Sequence, residues 1–222
     1  MRVAAILAAA GGGERLGMGA KAFVDLAGLP LAAWSARALR SWGGAGLVVA
    51  TAPEGMTERL AALLSAEGLE AQVIDGGPSR ARSIRAALAH VGDEWDAVVC
   101  HDAARPFAEP RLFQEVVSAL EDVDAVVPVL PASDTVKRVK ERMIIETLDR
   151  TELALAQTPQ AFGARALRSA HDRVTAEDAT DDASLLERIG ARVAAVPGDP
   201  GNLKVTTPAD LHLAERIAAS FA

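Results

Sequence analysis

A single cysteine, Cys100, is all the thiol chemistry this 222-residue sequence offers, which excludes an intramolecular disulfide and any cysteine-based zinc cluster. Its histidines, His90, His101, His171 and His212, are scattered and lack the spacing of a metal-binding helix. Tyrosine is absent and aromatics make up only 4% of the residues, so a core must be built mainly from Ala, Val and Leu. No run approaches the roughly 18–20 apolar residues that a membrane-spanning helix needs. Acids outnumber bases, 30 against 23, and the net charge of −7 argues against nucleic acid or an anionic membrane as partner. An anionic ligand would therefore have to be met by cations gathered locally. The opening MRVAAILAAAGGG imitates a secretory signal, but its apolar run is short and Gly-Gly-Gly-Glu-Arg makes a poor cleavage site. A buried strand explains it better, and the cytoplasm is the expected compartment.

What the sequence does contain is a rhythm. Half of its residues are hydrophobic, and its length suits one domain with an appendage. The apolar run Val3–Ala10 reads as a strand buried on both faces of a parallel sheet. A helix after Pro30 ends at Gly43-Gly44, and Leu47–Ala50 forms the second strand. Helix 54–67, a strand at Val73-Ile74 and helix 80–90 follow, then strand 96–101, helix 112–120 and strand 124–130. This alternation predicts an α/β fold with a parallel sheet, whose ligands sit beyond the carboxyl ends of the strands. The rhythm then breaks: 136–139 and 143–148 are short β-like runs around Lys140-Glu141-Arg142. A lone hairpin is marginal in water, so this reads either as an arm that packs on another subunit or as a local flap. Helices are expected at 164–173, 179–189 and 208–219, and late strands at 193–196 and 203–205. There is no internal repeat.

Candidate chemistry lies just after strands. The first loop, AAGGGERLGMGAK from Ala9 to Lys21, holds five glycines with Arg15 and Lys21. Such a loop lets backbone N–H groups crowd an anion, and the two cations suit a polyphosphate; a mobile surface loop is the plainer reading. It is neither a dinucleotide fingerprint, which would need glycine at Leu16, nor a Walker loop, since Met18 follows Gly17. Gly76-Gly77-Pro78-Ser79-Arg80-Ala81-Arg82-Ser83 follows the third strand, where Ser79 could simply cap the helix. His101-Asp102-Ala103-Ala104-Arg105-Pro106 ends the fourth strand. A carboxylate there can hold Mg²⁺ against phosphate oxygens, an Asp–Arg surface pair being the alternative.

Ala-Ala-Gly-x-Gly-x-Arg with a following lysine resembles the signature of the sugar-phosphate nucleotidyltransferases. His-Asp-Ala-Ala-Arg-Pro, the most specific string, resembles that of the 2-C-methyl-D-erythritol 4-phosphate cytidylyltransferases. Further matches follow in order at Asp134-Thr135, Asp149-Arg150, Gln157–Phe162, Thr180–Ser184 and Asn202–Thr206, so the resemblance runs from about residue 3 to 216. Ala20 stands where most members place proline, the Arg15–Lys21 interval is one residue short of the commonest, and Ala154 replaces a frequent tryptophan. The resemblance implies one nucleotidyltransferase domain over 1–222. Its fold would be a Rossmann-like, mostly parallel twisted sheet flanked by helices, with a protruding β-hairpin dimerisation arm at about 133–150. It implies transfer of cytidylyl from CTP to methylerythritol phosphate by a Mg²⁺-dependent homodimer, with Arg15, Lys21, Arg150 and Lys204 catalytic. Ala9, Ala10, Gly11, Gly13, Gly76, Arg80 and Ser83 would bind the nucleotide. Asp102, Arg105, Arg150, Thr158, Thr180 and Lys204 would contact substrate, and Asp102 would hold the metal. A ribitol-phosphate cytidylyltransferase and a catalytically silent nucleotide-binding module are the rival readings.

Overall fold

The computed structural model describes residues 1–174 and 181–221. In chain order its elements are β1 (Val3–Ala8), β2 (Asp25–Leu26), β3 (Leu29–Pro30), α1 (Leu31–Trp42), β4 (Leu47–Ala52), α2 (Thr57–Ala66) and β5 (Gln72–Asp75). Then come α3 (Arg80–Leu88), β6 (Ala97–Asp102), α4 (Pro110–Ser118), β7 (Ala125–Pro131), β8 (Lys137–Lys140) and β9 (Met143–Thr147). The chain continues through β10 (Ala154–Ala156), β11 (Gln160–Gly163), α5 (Ala164–Arg173), α6 (Asp182–Arg188), β12 (Val193–Pro197) and α7 (Pro208–Ala218).

An eight-stranded sheet carries the fold. β1 pairs in parallel with β4 on one side and β6 on the other, and β5 extends the β4 side. Successive residues of β1 face opposite ways, as strand geometry requires. Val3, Ala5 and Leu7 join one apolar cluster with residues of α1, α2 and α4, whereas Ala4 and Ile6 join another with α3, α5 and α6. The small side chains forced by the aromatic-poor composition let helices cover both faces of the sheet closely.

The chain runs from β1 out to β5 and then returns to place β6 on the other side of β1. That reversal opens a crevice beyond the carboxyl ends of β1 and β6, the position where such sheets bind ligands. Ala8 and Asp102 are register partners at its floor.

The structure corrects several sequence expectations. β11 is inserted antiparallel between β6 and β7, and β10 lies antiparallel to the far end of β7. The sheet is therefore mixed beyond β6. Leu203–Val205 forms no strand; Val205 is buried against Leu211 and Ala214 of α7, and its N–H donates to Ala104 O at 2.9 Å. Its apolar pattern reflects that burial, not sheet pairing. Helix α2 begins at Thr57 and not at residue 54, because Pro53-Glu54-Gly55-Met56 forms a turn with Gly55 at φ +70°. Of the helix expected at 179–189, Asp182–Arg188 is seen, and its first residues lie outside the described ones.

The hairpin is present: β8 and β9 pair antiparallel around Glu141-Arg142, both at positive φ as a two-residue primed turn demands. Every residue of both strands is exposed, including Val139, Met143, Ile144 and Ile145. No described helix is long and apolar enough to cross a membrane.

Candidate active site

A cavity of about 380 Å³ occupies the crevice, lined by the first loop, the start of α3, the end of β6 and the segment at Lys204–Thr206. The loop keeps its shape through backbone. Lys21 N donates to Gly11 O, and Gly13 sits at φ +70° with Gly19 O only 2.5 Å from where a Cβ would lie. No side chain fits there, so this glycine is required by a close approach and by its conformation. Ala20, where the resemblance would place proline, holds φ at −59°, the angle proline would lock. Leu16 anchors the loop by joining the buried apolar cluster that also holds Val24 and Leu211.

Lys21 stands beside this loop, half-buried. Burial, the nearby Lys204 charge and Arg15 together lower its pKa to about 8, Asp102 opposing them. Asp102 ends β6 with its carboxylate buried. Its Oδ1 accepts from Arg80 Nε at 2.8 Å and its Oδ2 from Lys204 Nζ at 2.7 Å. Burial alone would raise its pKa, but the Arg80 and Lys204 charges outweigh it and hold the group well below the usual carboxylate range.

Behind Asp102 runs a chain of fixed hydrogen bonds. Its N–H donates to Thr158 Oγ1 at 3.0 Å, and that hydroxyl lies 3.2 Å from His101 Nδ1. His101 Nε2 lies 3.2 Å from Arg105 O, a carbonyl that can only accept. The proton therefore sits on Nε2, and Nδ1 takes the threonine hydroxyl. Burial lowers the imidazole pKa to about 4, so the ring is neutral and serves the scaffold.

Lys204 is positioned through its neighbours. Asn202 is buried, its side-chain Nδ2 donates to Thr158 O at 2.8 Å, and its backbone carbonyl accepts from Arg105 Nη1 at 2.8 Å. Arg105 Nη2 also donates to Ala156 O at 3.2 Å. On the other wall Ser79 caps α3 by accepting from Arg82 N, as the plainer sequence reading expected. Ser83 Oγ accepts from Gly77 N at 3.0 Å and donates to Ser79 O at 2.9 Å.

The crevice thus gathers Ala9, Ala10, Gly11, Gly13, Arg15, Lys21, Arg80, Ser83, Asp102 and Lys204. Three predicted residues stand behind its wall. Arg105 and Thr158 are buried in the hydrogen bonds above, and Gly76 lies so close to Ala10 that a Cβ would come within 2.2 Å of Ala10 Cβ. The Gly76 N–H is bonded to Ala52 O at 2.8 Å and is not available to a base. Arg150 is exposed, away from the cavity lining, with Nη1 on Ser133 O at 2.6 Å. Thr180 lies outside the described residues.

Sequence reasoning assigned no role to Thr51 and Thr206, which line the cavity, or to Asp182, whose carboxylate meets Arg80 from the interior. Burial disfavours its charge, yet Arg80 and a bond to His171 lower its pKa below the ordinary value. Among the described residues no cluster of three or more His, Cys, Asp or Glu side chains could hold a metal by itself. Asp102 alone suits Mg²⁺ in another way. A carboxylate has about four acceptor sites; Arg80 and Lys204 use two, and Mg²⁺ commonly takes one carboxylate with phosphate oxygens and water.

A sequence profile of the 2-C-methyl-D-erythritol 4-phosphate cytidylyltransferases matches residues 3–220. A protein of that name from Saccharopolyspora erythraea is 43% identical over 225 residues, covering 99% of this chain and 100% of its relative. Another from Rhodococcus jostii is 43% identical, covering 97% and 94% of the two chains. The crystal structure of the 2-C-methyl-D-erythritol 4-phosphate cytidylyltransferase of Thermus thermophilus superimposes with a TM-score of 0.82 at 34% identity, covering 99% of this chain and 100% of that one.

Proposed function

The chain belongs to the 2-C-methyl-D-erythritol 4-phosphate cytidylyltransferase family, and from that premise we propose how its residues divide the work of transferring cytidylyl from CTP to that sugar phosphate. The product pair is CDP-methylerythritol and pyrophosphate, in isoprenoid precursor biosynthesis. The rival ribitol and silent-module readings are not favoured by these relatives.

The attacking group is a phosphate monoester, whose second pKa near 6 leaves it a nucleophile at neutral pH without any general base. One of its oxygens bonds to the α-phosphorus of CTP, and the bond from that phosphorus to the bridging oxygen breaks. Pyrophosphate leaves with the electron pair. The protein's task is to bring two anions together and to stabilise charge on the α-phosphate and leaving group. Arg15 and Lys21 line the crevice beside the glycine loop and would meet the triphosphate there. Lys204 faces the same space from Asp102 and would meet the incoming monoester. Asp102 would hold Mg²⁺ together with phosphate oxygens; when bound, the ion supplies neutralising charge. Ala9, Ala10, Gly11, Gly13, Arg80 and Ser83 form the wall toward the nucleoside, which Gly76 supports from behind, while Arg105 and Thr158 support Asp102 and Lys204.

The whole chain acts as one nucleotidyltransferase domain and works as a homodimer through the hairpin. Val139, Met143, Ile144, Ile145 and Leu155 leave an apolar surface exposed on and beside an arm that buries none of its own residues. Arg150, just past the arm, would serve the partner's site.

The observation that carries this reading is the opposition across one crevice of Lys21, on a glycine loop, and the cation-clamped Asp102. The test is pyrophosphate release with CTP and Mg²⁺, using 2-C-methyl-D-erythritol 4-phosphate or ribitol 5-phosphate as acceptor. Turnover with the first and at most traces with the second is expected; the reverse preference would overturn the substrate assignment.

A further inference from the structure

Arg80 is held from two sides. Its Nε donates to Asp102 Oδ1 at 2.8 Å, while Nη1 donates to Asp182 Oδ2 at 2.5 Å. Asp182 is fully buried at the start of α6, and its other oxygen lies 3.1 Å from His171 Nε2 on α5. The line from His171 through Asp182 and Arg80 to Asp102 thus crosses from the interior to the cavity wall. Neither Asp182 nor His171 lines the cavity, so neither would touch a substrate there. Burying such charges is costly, and apolar residues of similar volume often stabilise a fold better. Stability alone therefore does not explain why a carboxylate and an imidazole stand behind Arg80.

The orientation of Arg80 does explain it. An arginine beside a single carboxylate prefers the two-pronged pairing that occupies both oxygens. Here only Nε reaches Asp102, Nη1 is drawn off by Asp182, and the buried Nη2 has no partner among the described residues. Released from Asp182, the fork could turn onto Asp102 and compete with Lys204 for Oδ2, now bonded to Lys204 Nζ at 2.7 Å. We propose that Asp182, backed by His171, is a positioning residue for cytidylyl transfer: it restrains Arg80 to one oxygen of Asp102, so that the other stays directed to Lys204 and the cavity. The inference rests on the assignment of Asp102 to the reacting phosphates made above.

The test is a mutant cycle read by steady-state kinetics. Asp182→Asn is expected to lower kcat at least about tenfold and to raise KM for CTP by a smaller factor, since the turned fork takes an oxygen of Asp102 from Lys204 while the rest of the nucleotide wall stays in place. In an Arg80→Met background the same change should cost less than about twofold, because no fork remains to turn. Should Asp182→Asn melt below the assay temperature, Asp182→Glu replaces it; it keeps the charge but displaces the carboxylate, and the same kcat loss is expected. A kcat within twofold of wild type in the folded variant overturns the inference, as does an equal loss with and without Arg80. Asp102→Asn is measured alongside. If it retains full rate, the assignment of Asp102 fails; if it is slow while Asp182→Asn is not, only the present inference fails.

Discussion

Lys21 should give the enzyme an alkaline limb that begins about two and a half pH units lower than an ordinary lysine would. Burial, Lys204 and Arg15 set its pKa at about 8 in the free protein, against an ordinary 10.5. With that value about nine-tenths of the molecules carry the charge at pH 7 and about one-tenth at pH 9. Removing a donor aimed at developing charge typically costs about 10²–10³ in rate, so uncharged Lys21 contributes almost nothing. The value of kcat/KM, which reports the free enzyme, should therefore fall close to tenfold per unit above pH 8. Bound triphosphate favours the charged form, so the limb in kcat should lie higher than the limb in kcat/KM. Both substrate phosphates are already ionised above pH 7, and the sequence has no tyrosine to confuse the assignment. Burial also pushes the single thiol, Cys100, well above its usual range.

Unfolding linked to Lys21 cannot mimic this limb. Its folded pKa lies below the unfolded one, so between about pH 8 and 10.4 the unfolded chain binds more protons and this group's contribution to stability rises with pH. The assay is initial-rate pyrophosphate release from pH 6.5 to 9.5 at fixed ionic strength, with denaturant midpoints at each end. Lys21→Ala should lower kcat by about 10²–10³, more than it raises KM. Lys21→Arg should be slower than wild type but lose the limb, because its charge persists throughout. A flat wild-type profile, or a limb unchanged in Lys21→Arg, would refute the reasoning.

Gly76→Ala should raise KM for CTP at least about tenfold and lower Tm, since the new Cβ would sit 2.2 Å from Ala10 Cβ and 3.1 Å from Ala52 O. Unchanged KM and Tm would show that the wall yields freely. Asp102→Asn should destabilise the fold by about 3 kcal/mol at pH 7, the low end for breaking a buried pair, because Asp182 still holds Arg80. The depressed folded pKa of Asp102 means that its stabilisation is present above the unfolded value near 3.9 and is lost as pH falls below it. Urea melts of wild type and variant should therefore draw closer by about 1.4 kcal/mol per unit as pH falls below about 4; a constant gap would contradict the linkage.

The parts legible in the sequence were those written by local periodicity and by steric need. Val3–Ala8 and residues 97–100 are apolar runs buried on both faces, so their strands show directly. Gly13 occurs where no Cβ fits, and Ala164–Arg173 carries a full helical period. What escaped depends on distant partners. Gln160–Gly163 is four residues long, and only β6 and β7 on either side make it a strand. Leu203–Val205 looks like a strand because burial under α7 selects the same residues as sheet pairing does. Asp182 lies in a motif noticed for other reasons, but its link to Arg80 spans 102 positions and has no local signature. Only four lysines occur in the chain, Lys21, Lys137, Lys140 and Lys204; two lie in the crevice and two on the arm, a division visible only once the fold is known.

The arm supplies the most demanding test. Arg150 lies beyond its returning strand, exposed, with Nη1 on Ser133 O, and outside the crevice that holds Lys21 and Lys204. Its rigid fork suits two phosphate oxygens at once, which a lysine at that place would not match. If two copies pair through the apolar surface at Val139, Met143, Ile144 and Ile145, Arg150 completes the partner's site rather than its own. Arg150→Ala and Lys21→Ala proteins should then each be nearly inactive alone and recover on mixing. In the mixed dimer one site collects both defects and the other collects neither. Random exchange makes half of the dimers mixed, so activity should approach about a quarter of wild type for a two-fold dimer. Recovery should follow the rate of subunit exchange measured by a fluorescent label. Demonstrated exchange without recovery would put Arg150 in the site of its own subunit, and the arm would then have to bend back across 133–150 to bring it there.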